Sequence, residues 1–362
     1  DTFTLLPQLV SKSLVTRGVD LAVDFELDDE FVPEPRYAYL ETIRQYARDR
    51  LIESGLIEEA RDRHFDYYES LSWGIDLDAA PALLRIQGEN LLLEQDNLRA
   101  AVEWSIERYP RRTLDFLWNL TPFITDHLPG TEAIAWASSA LEQMEGLPPA
   151  QGEEELKRHQ ARLKGMVAIC LLEMFLGQLS DAYRNACEVI DLLQGDGTDP
   201  LLLANALFVK AQAGYFLEDL SLDETLAEAE AVLRGMPEEP LRQLMLAMVL
   251  MLEAETESRK GNLEEVARLY DESQAILEKA PNAFMAWLEY SRFMVTLQLD
   301  IETEQVRSQY EKVVDLLHKT RSSRIAAMAE SDWGHRMRRD GNLDEALVIY
   351  QHMLVEWRRL GH

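Results

Sequence analysis

The sequence lacks several features that define common protein classes. Its longest nearly uncharged apolar run, Leu244–Leu252, is far shorter than the ~18 residues that a membrane span needs. The two cysteines, Cys170 and Cys187, exclude a disulfide framework and favour a reducing, cytoplasmic compartment. With 17 glycines and 13 prolines in 362 residues, a loop-rich β protein is not expected. The chain begins at Asp1 without a signal-peptide pattern, so we expect an excised part of a longer protein.

Basic residues are also scarce. The chain has 36 Lys and Arg against 65 Asp and Glu, a formal net charge of -29. A surface this negative repels phosphate backbones and anionic lipid headgroups, so we expect neither nucleic acid nor membrane as a partner. Abundant Leu, Ala, Glu and Arg favour helices.

Motifs for catalysis are absent as well. No Gly-x-x-x-x-Gly-Lys-Ser/Thr phosphate loop occurs, and the seven histidines show no pair at metal-ligand spacing. We therefore predict no enzymatic activity, no metal and no cofactor for this chain itself, and we interpret both cysteines as core residues.

A helix-turn-helix phrase recurs in the second half of the chain. Its turns begin at Gly177, Gly261 and Gly341, with degraded copies near Leu217–Leu220 and Leu299–Ile301, and an earlier, weaker copy turns at Gly130. Successive turns from Gly177 onward lie about 40 residues apart, within the ~34–47 residues of helical-hairpin repeats. We expect each turn glycine to adopt the left-handed conformation that ends the preceding helix.

The helices that follow the turns are amphipathic. The last copy has an apolar stripe at steps of three and four: Leu343, Ala346, Leu347, Tyr350, Leu354 and Trp357. A single hairpin cannot bury both of its apolar faces, whereas a stack of hairpins can.

The last copy resembles a tetratricopeptide repeat, with Trp333-Gly334 on the first helix, Gly341 at the turn, and Ala346 and Tyr350 on the second helix. The predicted fold is mainly α, a right-handed α-solenoid of tetratricopeptide-like hairpins. Because the helices are long and two copies match poorly, a HEAT-like array stays open as an alternative.

The first 50 residues predict a different module. A short helix from Leu5 leads into a strand near Val15, and residues 21–27 alternate apolar and acidic residues as a half-buried strand does. Arg36–Leu40 can return as a second strand, and a helix begins near Glu41. This order is that of the back half of a winged helix. Residues 1–50 contain ten acidic and six basic side chains, a composition that disfavours DNA contact.

Four phrases resemble one bacterial family closely. They are residues 9–15, 36–47, 63–68 and 96–101, and together they are similar to the region that joins the winged helix to the repeats in signal-transduction ATPases of the STAND class (NB-ARC, LuxR- and MalT-like regulators). The resemblance implies a partial winged helix at 1–50, linking helices at 51–110 and a repeat sensor arm at 111–362. It further implies an NTPase module outside this chain that uses ATP or ADP with Mg²⁺ and is released when an inducer binds the arm.

Candidate binding residues follow from the concave wall of such a solenoid, which the first helix of each hairpin lines. Counting back from the turns predicts these inducer- or partner-binding positions: Lys164, Met174, Met248, Met251, Glu255, Ser291, Gln298, Ser331, His335 and Arg338. Methionines suit a pliable apolar surface, although Met248 and Met251 also fit a simple core position. His335 and Arg338 belong to a basic cluster with Arg336 and Arg339, which suits an acidic partner or an anionic ligand, or merely offsets nearby Glu and Asp. A constitutive scaffold that binds proteins without switching is the alternative function, and direct DNA binding is a weaker third.

Overall fold

A computed structural model describes residues 2–18, 36–73, 94–127, 129–196, 199–278, 285–299, 302–319 and 323–359. These residues form sixteen helices and one two-stranded sheet, which confirms the mainly α prediction. The strand predicted at 21–27 lies outside the described residues.

The chain divides into two compact units. One spans Asp1–Leu71 and Ile86–Trp104, and the other spans Ser72–Arg85 and Ser105–His362. The sequence-based boundaries at residues 50 and 110 stay predictions.

In the described residues, the first unit contains a helix, two strands and three further helices in this order. Its elements are α1 (Thr2–Ser11), β1 (Val15–Gly18), β2 (Arg36–Tyr39), α2 (Glu41–Glu53), α3 (Ile57–Trp73) and most of α4 (Gln95–Arg108). The two strands pair antiparallel, with Val15 opposite Tyr39. The hairpin predicted from residues 21–27 and 36–40 stays a prediction, because residues 21–27 lie outside the described ranges. No residue of α2 is buried, and Tyr46 and Ile52 on its apolar side are 61% and 51% exposed.

The phrases in α3 and α4 that resemble the STAND class hold these two helices together. Phe65 on α3 and Leu98 on α4 are almost completely buried. The Tyr68 hydroxyl donates to Glu94 Oε2 at 2.6 Å, and Asn97 Nδ2 donates to the same oxygen at 2.5 Å. The Tyr68 hydrogen bond thus joins α3 to the residue that precedes α4, whereas the Asn97 hydrogen bond is local to the start of α4.

The second unit is a series of six helical hairpins. They are α5–α6 (Pro110–His127, Gly130–Glu145), α7–α8 (Glu153–Phe175, Leu179–Asp196), α9–α10 (Pro200–Leu217, Leu222–Gly235), α11–α12 (Pro240–Lys260, Leu263–Leu277), α13–α14 (Met285–Gln298, Thr303–Lys319) and α15–α16 (Ser323–Arg339, Leu343–Arg359). Each first helix packs against its own second helix and against the first helix of the next hairpin. The first helices therefore form one continuous layer.

The turns explain the spacing of the glycines. Gly177, Gly261 and Gly341 have φ angles of 74°, 81° and 86°, as predicted for a left-handed helix end. The expectation is wrong for Gly130, which is the first residue of α6 and has no positive φ. In a degraded copy Glu218 occupies the same conformation, with φ of 56°. The repeat geometry is therefore kept where the glycine is lost.

Close contact between two helices explains why position 334 is a glycine. A Cβ added to Gly334 would lie 2.9 Å from the Tyr350 ring, so a larger residue at position 334 would not fit between α15 and α16 without a shift. This is the physical basis of the repeat pattern recognised in the sequence.

Buried apolar residues of this unit form one cluster centred on α9 and α11 and a second cluster among α13, α14 and α15. α9 is apolar on nearly all sides, and it is the one described helix long and apolar enough to cross a membrane. Since 61% of its 18 residues are buried among neighbouring helices, we interpret it as a core helix.

Candidate ligand-binding cavity

A cavity of about 110 Å³ opens on the layer of first helices, and five consecutive hairpins contribute to its wall. Its lining is dominated by methionine and aromatic side chains: Met174, Phe175, Phe208, Phe216, Met248, Met251, Trp287, Tyr290, Met294 and Met328. Polar atoms come from three further lining residues, Gln212, Glu255 and Ser291. A mainly apolar concave site with a few polar groups is typical of ligand pockets.

The repeat register places these residues. On α11 the lining residues lie thirteen, ten, nine and six positions before Gly261, and these are Met248, Met251, Leu252 and Glu255. The spacing of three and four residues directs them to one face of the helix. On α13 the same spacing gives Trp287, Tyr290, Ser291 and Met294.

Glu255 is the acidic group of the cavity wall. Ser291 Oγ donates to Glu255 Oε1 at 2.6 Å, and the Tyr270 hydroxyl lies 3.0 Å from Ser291 Oγ. Burial raises the pKa of Glu255 to about 7, against the smaller effects of the Ser291 hydrogen bond and of Arg259. Glu255 therefore titrates near neutrality.

A second carboxyl lies behind Tyr290. The Tyr290 hydroxyl donates to Asp332 Oδ2 at 2.8 Å, and burial raises the pKa of Asp332 to about 6. Asp332 also raises the pKa of Glu255 by charge repulsion, as the smallest of the four effects on that carboxyl.

Five of the ten predicted binding residues line the cavity: Met174, Met248, Met251, Glu255 and Ser291. Met174 and Met251 are also part of the buried core, and Met248 packs against it. The same methionine side chains therefore contribute both to the apolar core and to the wall of the cavity. Gln298 lies outside the lining and donates from Nε2 to the Tyr215 hydroxyl at 2.9 Å.

The other predicted residues lie elsewhere. Lys164 Nζ forms an ion pair with Asp115 at 2.8 Å. Ser331 accepts a hydrogen bond from Trp357 Nε1 at 3.2 Å. His335 Nδ1 lies 2.9 Å from the Tyr350 hydroxyl, and Arg338 is exposed. Their binding roles stay predictions, and none of them joins the cavity wall.

The basic cluster on α15 is largely engaged within the protein. Arg336 Nε donates to Asp340 at 2.7 Å, and Arg339 Nη2 donates to the Leu297 carbonyl oxygen at 2.9 Å. Arg336 and Arg339 are therefore engaged in contacts within the protein, which leaves fewer cations of this cluster for an acidic partner or an anionic ligand.

Several lining residues were not predicted. Trp287, Tyr290, Met294 and Met328 follow the same count from the turn that selected Met248 and Glu255. Applying that count to every first helix would have found them. Phe208 and Gln212 are less visible, because the α9 turn has Glu218 in place of glycine.

Neither cysteine has the environment of a reactive thiol. Burial raises the pKa of Cys170 to about 12 and also raises the pKa of Cys187. Within the described ranges, no group of three or more His, Cys, Asp or Glu is arranged to hold a metal ion.

No protein-family model matches the chain. Over 146 residues it is 33% identical to proteins named as HTH-type transcriptional regulators from Mycobacterium tuberculosis and Mycobacterium bovis. The match covers 39% of this chain, which spans only 15% of the length of each relative.

Solved structures share the fold. A Rap protein complexed with competence and sporulation factor superposes with a TM-score of 0.59 at 14% identity, over 82% of this chain and 76% of that protein. Aspartyl phosphate phosphatase F from Bacillus subtilis gives 0.56 at 12% identity, over 77% and 72%. These similarities confirm a mainly α fold of tetratricopeptide-like helical repeats.

Proposed function

We propose that this chain is the sensor arm of a cytoplasmic, bacterial STAND-class regulator. In this proposal the hairpins bind an inducer, either a small ligand or a segment of a partner protein, in the cavity on the first helices. The observation that carries the proposal is that five consecutive hairpins contribute to one cavity. A ligand that contacts all five can couple its binding energy to their relative arrangement.

The first unit supports the same proposal. Its helix, strand, strand and helix are those expected for the end of a winged helix, and the relatives with 33% identity are named as transcriptional regulators. ATP or ADP with Mg²⁺ would belong to an NTPase module outside this chain, since the sequence contains no phosphate loop. We assign no catalytic step to the residues of this chain.

A thermal-shift screen of the purified chain tests the binding function. The ligands are fractions below about 3 kDa from an extract of the producing organism. We expect at least one fraction to raise the melting temperature of the chain, because a ligand that binds only the folded state stabilises it. The Gln212→Trp variant fills the cavity from its partly exposed wall and should abolish the shift. Gln351→Trp, on the exposed side of α16, should retain it.

The switching function needs the full-length gene product. If the Gln212→Trp product still responds normally to the inducer, the sensor proposal is wrong. The coding sequence upstream of Asp1 separates the two functional classes: a phosphate-loop module favours the sensor arm, and a start codon favours the constitutive scaffold.

A further inference from the structure

The hydrogen bonds around Glu255 define what its carboxylate can accept. Ser291 Oγ has a single hydrogen, which it donates to Glu255, so the Tyr270 hydroxyl must be the donor to Ser291. This chain of two donors approaches Glu255 from the side of α12 and α13. What the cavity wall offers to a ligand at this point is a hydrogen-bond acceptor with negative charge.

Among the described residues, neither Glu255 nor Asp332 forms an ion pair. Arg259, whose charge acts on Glu255, is held over the Tyr215 ring at 3.3 Å from its centroid and donates to the Tyr215 carbonyl oxygen at 2.8 Å. The net charge of -29 further favours the approach of a positively charged ligand.

The remainder of the wall suits an apolar group. Five of the twelve methionines of the chain line this one cavity, and their flexible thioether side chains adapt to different shapes. Trp287 packs edge to face against Phe175 and Tyr290, with both pairs of ring centroids 6.3 Å apart. Such rings accept aliphatic or aromatic groups, and their faces attract a nearby cation.

From these contacts we propose that the cavity binds a ligand in which a protonated amine or guanidinium is joined to an apolar body. The cation pairs with Glu255, and the apolar body packs between Met248, Trp287 and Phe208. The inference rests on the proposed ligand-binding function and specifies the chemistry of the ligand.

Binding should depend on pH. Five groups face Glu255: Arg259 on its own helix, Tyr215 on α9, Tyr270 on α12, Tyr290 on α13 and Asp332 on α15. The pKa values of the three tyrosines are raised, so these side chains stay neutral over this range. Because Glu255 and Asp332 ionise between about pH 6 and 7, a cationic ligand should bind more tightly at pH 8 than at pH 6.

Isothermal titration of the whole chain with three probes tests the proposal. The probes are 4-phenylbutylamine, 4-phenylbutanol and 5-phenylpentanoate, which share one phenylbutyl body and differ in the charge of the group at its end. We expect the amine to bind about tenfold more tightly than the alcohol at pH 8, as a charge-assisted hydrogen bond provides. The carboxylate should bind most weakly. A second pair, acetyl-Phe-Lys-amide and acetyl-Phe-norleucine-amide, shows whether a peptide can supply the same chemistry.

Two variants of α11 complete the test. Glu255→Gln keeps the acceptor for Ser291 and should reduce the preference for the amine to less than twofold. Glu253→Gln removes a carboxylate of the same helix that does not line the cavity, and it should leave the preference unchanged. Melting curves establish that both variants are folded.

The outcomes separate the two proposals. Equal binding of amine and alcohol overturns the cationic ligand but leaves the ligand-binding function intact. A preference for the amine that persists in Glu255→Gln also overturns it, because the net charge of the protein then causes the preference. Absence of binding by all the probes overturns the ligand chemistry, whereas the extract screen decides the proposed function.

Discussion

Arg259 lies with its guanidinium 3.3 Å from the centroid of the Tyr215 ring and donates to the carbonyl oxygen of the same residue. Arg339 makes the equivalent contact with the carbonyl oxygen of Leu297. Each arginine comes two residues before a turn glycine, and each carbonyl lies in the last turn of the preceding first helix, where backbone acceptors lack helical partners. The end of one hairpin's first helix thus caps the first helix of the hairpin before it.

Replacement of Arg259 should therefore destabilise the repeat unit. We expect Arg259→Met to lower the free energy of unfolding by about 1–2 kcal/mol, because a charged hydrogen bond and a cation–π contact are both lost from a partly exposed site. Urea unfolding followed by circular dichroism measures the change. Arg338→Met, on the exposed side of α15, should have almost no effect, and an equal loss in both variants would contradict the capping role.

At the left-handed turns, we predict two substitutions with opposite effects on stability. Glu218→Gly should raise the melting temperature, because a non-glycine residue with positive φ carries a backbone strain of about 1 kcal/mol that glycine does not have. Gly261→Ala should lower stability by about the same amount, since a Cβ there meets no other atom within 4 Å and only the backbone conformation opposes it. Differential scanning calorimetry tests both, and a destabilised Glu218→Gly would show that its side chain contributes more than the strain costs.

Stability should fall as pH rises through the range in which Glu255 ionises. Its folded pKa of about 7 lies above the ordinary 4.5, so the folded state binds the proton more tightly than the unfolded state. This contribution is complete below about pH 4.5 and is lost between pH 4.5 and 7. Glu255→Gln removes the effect, so the free energy of unfolding of the variant relative to the native chain should be greater at pH 8 than at pH 5, by about 2–3 kcal/mol.

Urea titrations at pH 5, 6, 7 and 8 measure this difference. The exposed Glu224→Gln on α10 provides the control, with an effect that should not change over the range. A constant difference between Glu255→Gln and the native chain would contradict the assignment of this titration to Glu255.

In the first unit, two adjacent tyrosines allow the contribution of one hydrogen bond to be measured, because, among the described residues, only one of their hydroxyls is bonded across the helices. Tyr68→Phe loses the 2.6 Å hydrogen bond to Glu94 and should destabilise the packing of α3 on α4 by about 1 kcal/mol. Tyr67 is 57% exposed, and Tyr67→Phe should be neutral. Hydrogen exchange of the α4 amides reports the difference locally. Equal protection in the two variants would mean that apolar packing alone holds the helices.

Some residues of the candidate site could be predicted from local sequence spacing, whereas others depend on contacts between distant helices. Counting from the turn glycines selected Met248, Met251 and Glu255, and all three line the cavity, because helical periodicity and repeat spacing are both local properties. Their role in binding stays a prediction. The same count gave Lys164 and Ser331, which are engaged with Asp115 and Trp357 instead. Whether a groove position is free depends on the partners that other helices bring to it.

By itself, the sequence determined the helices, the turns and the order of the hairpins. Helices and turns depend on apolar spacing and on left-handed glycines within a few residues, so they can be predicted without knowledge of the fold. The tertiary structure alone decided that α9, with Glu218 at its turn, belongs to the same cavity wall as α11 and α13. It also decided that Glu255 titrates near neutral pH, because burial and the approach of Asp332 arise only when distant helices pack together.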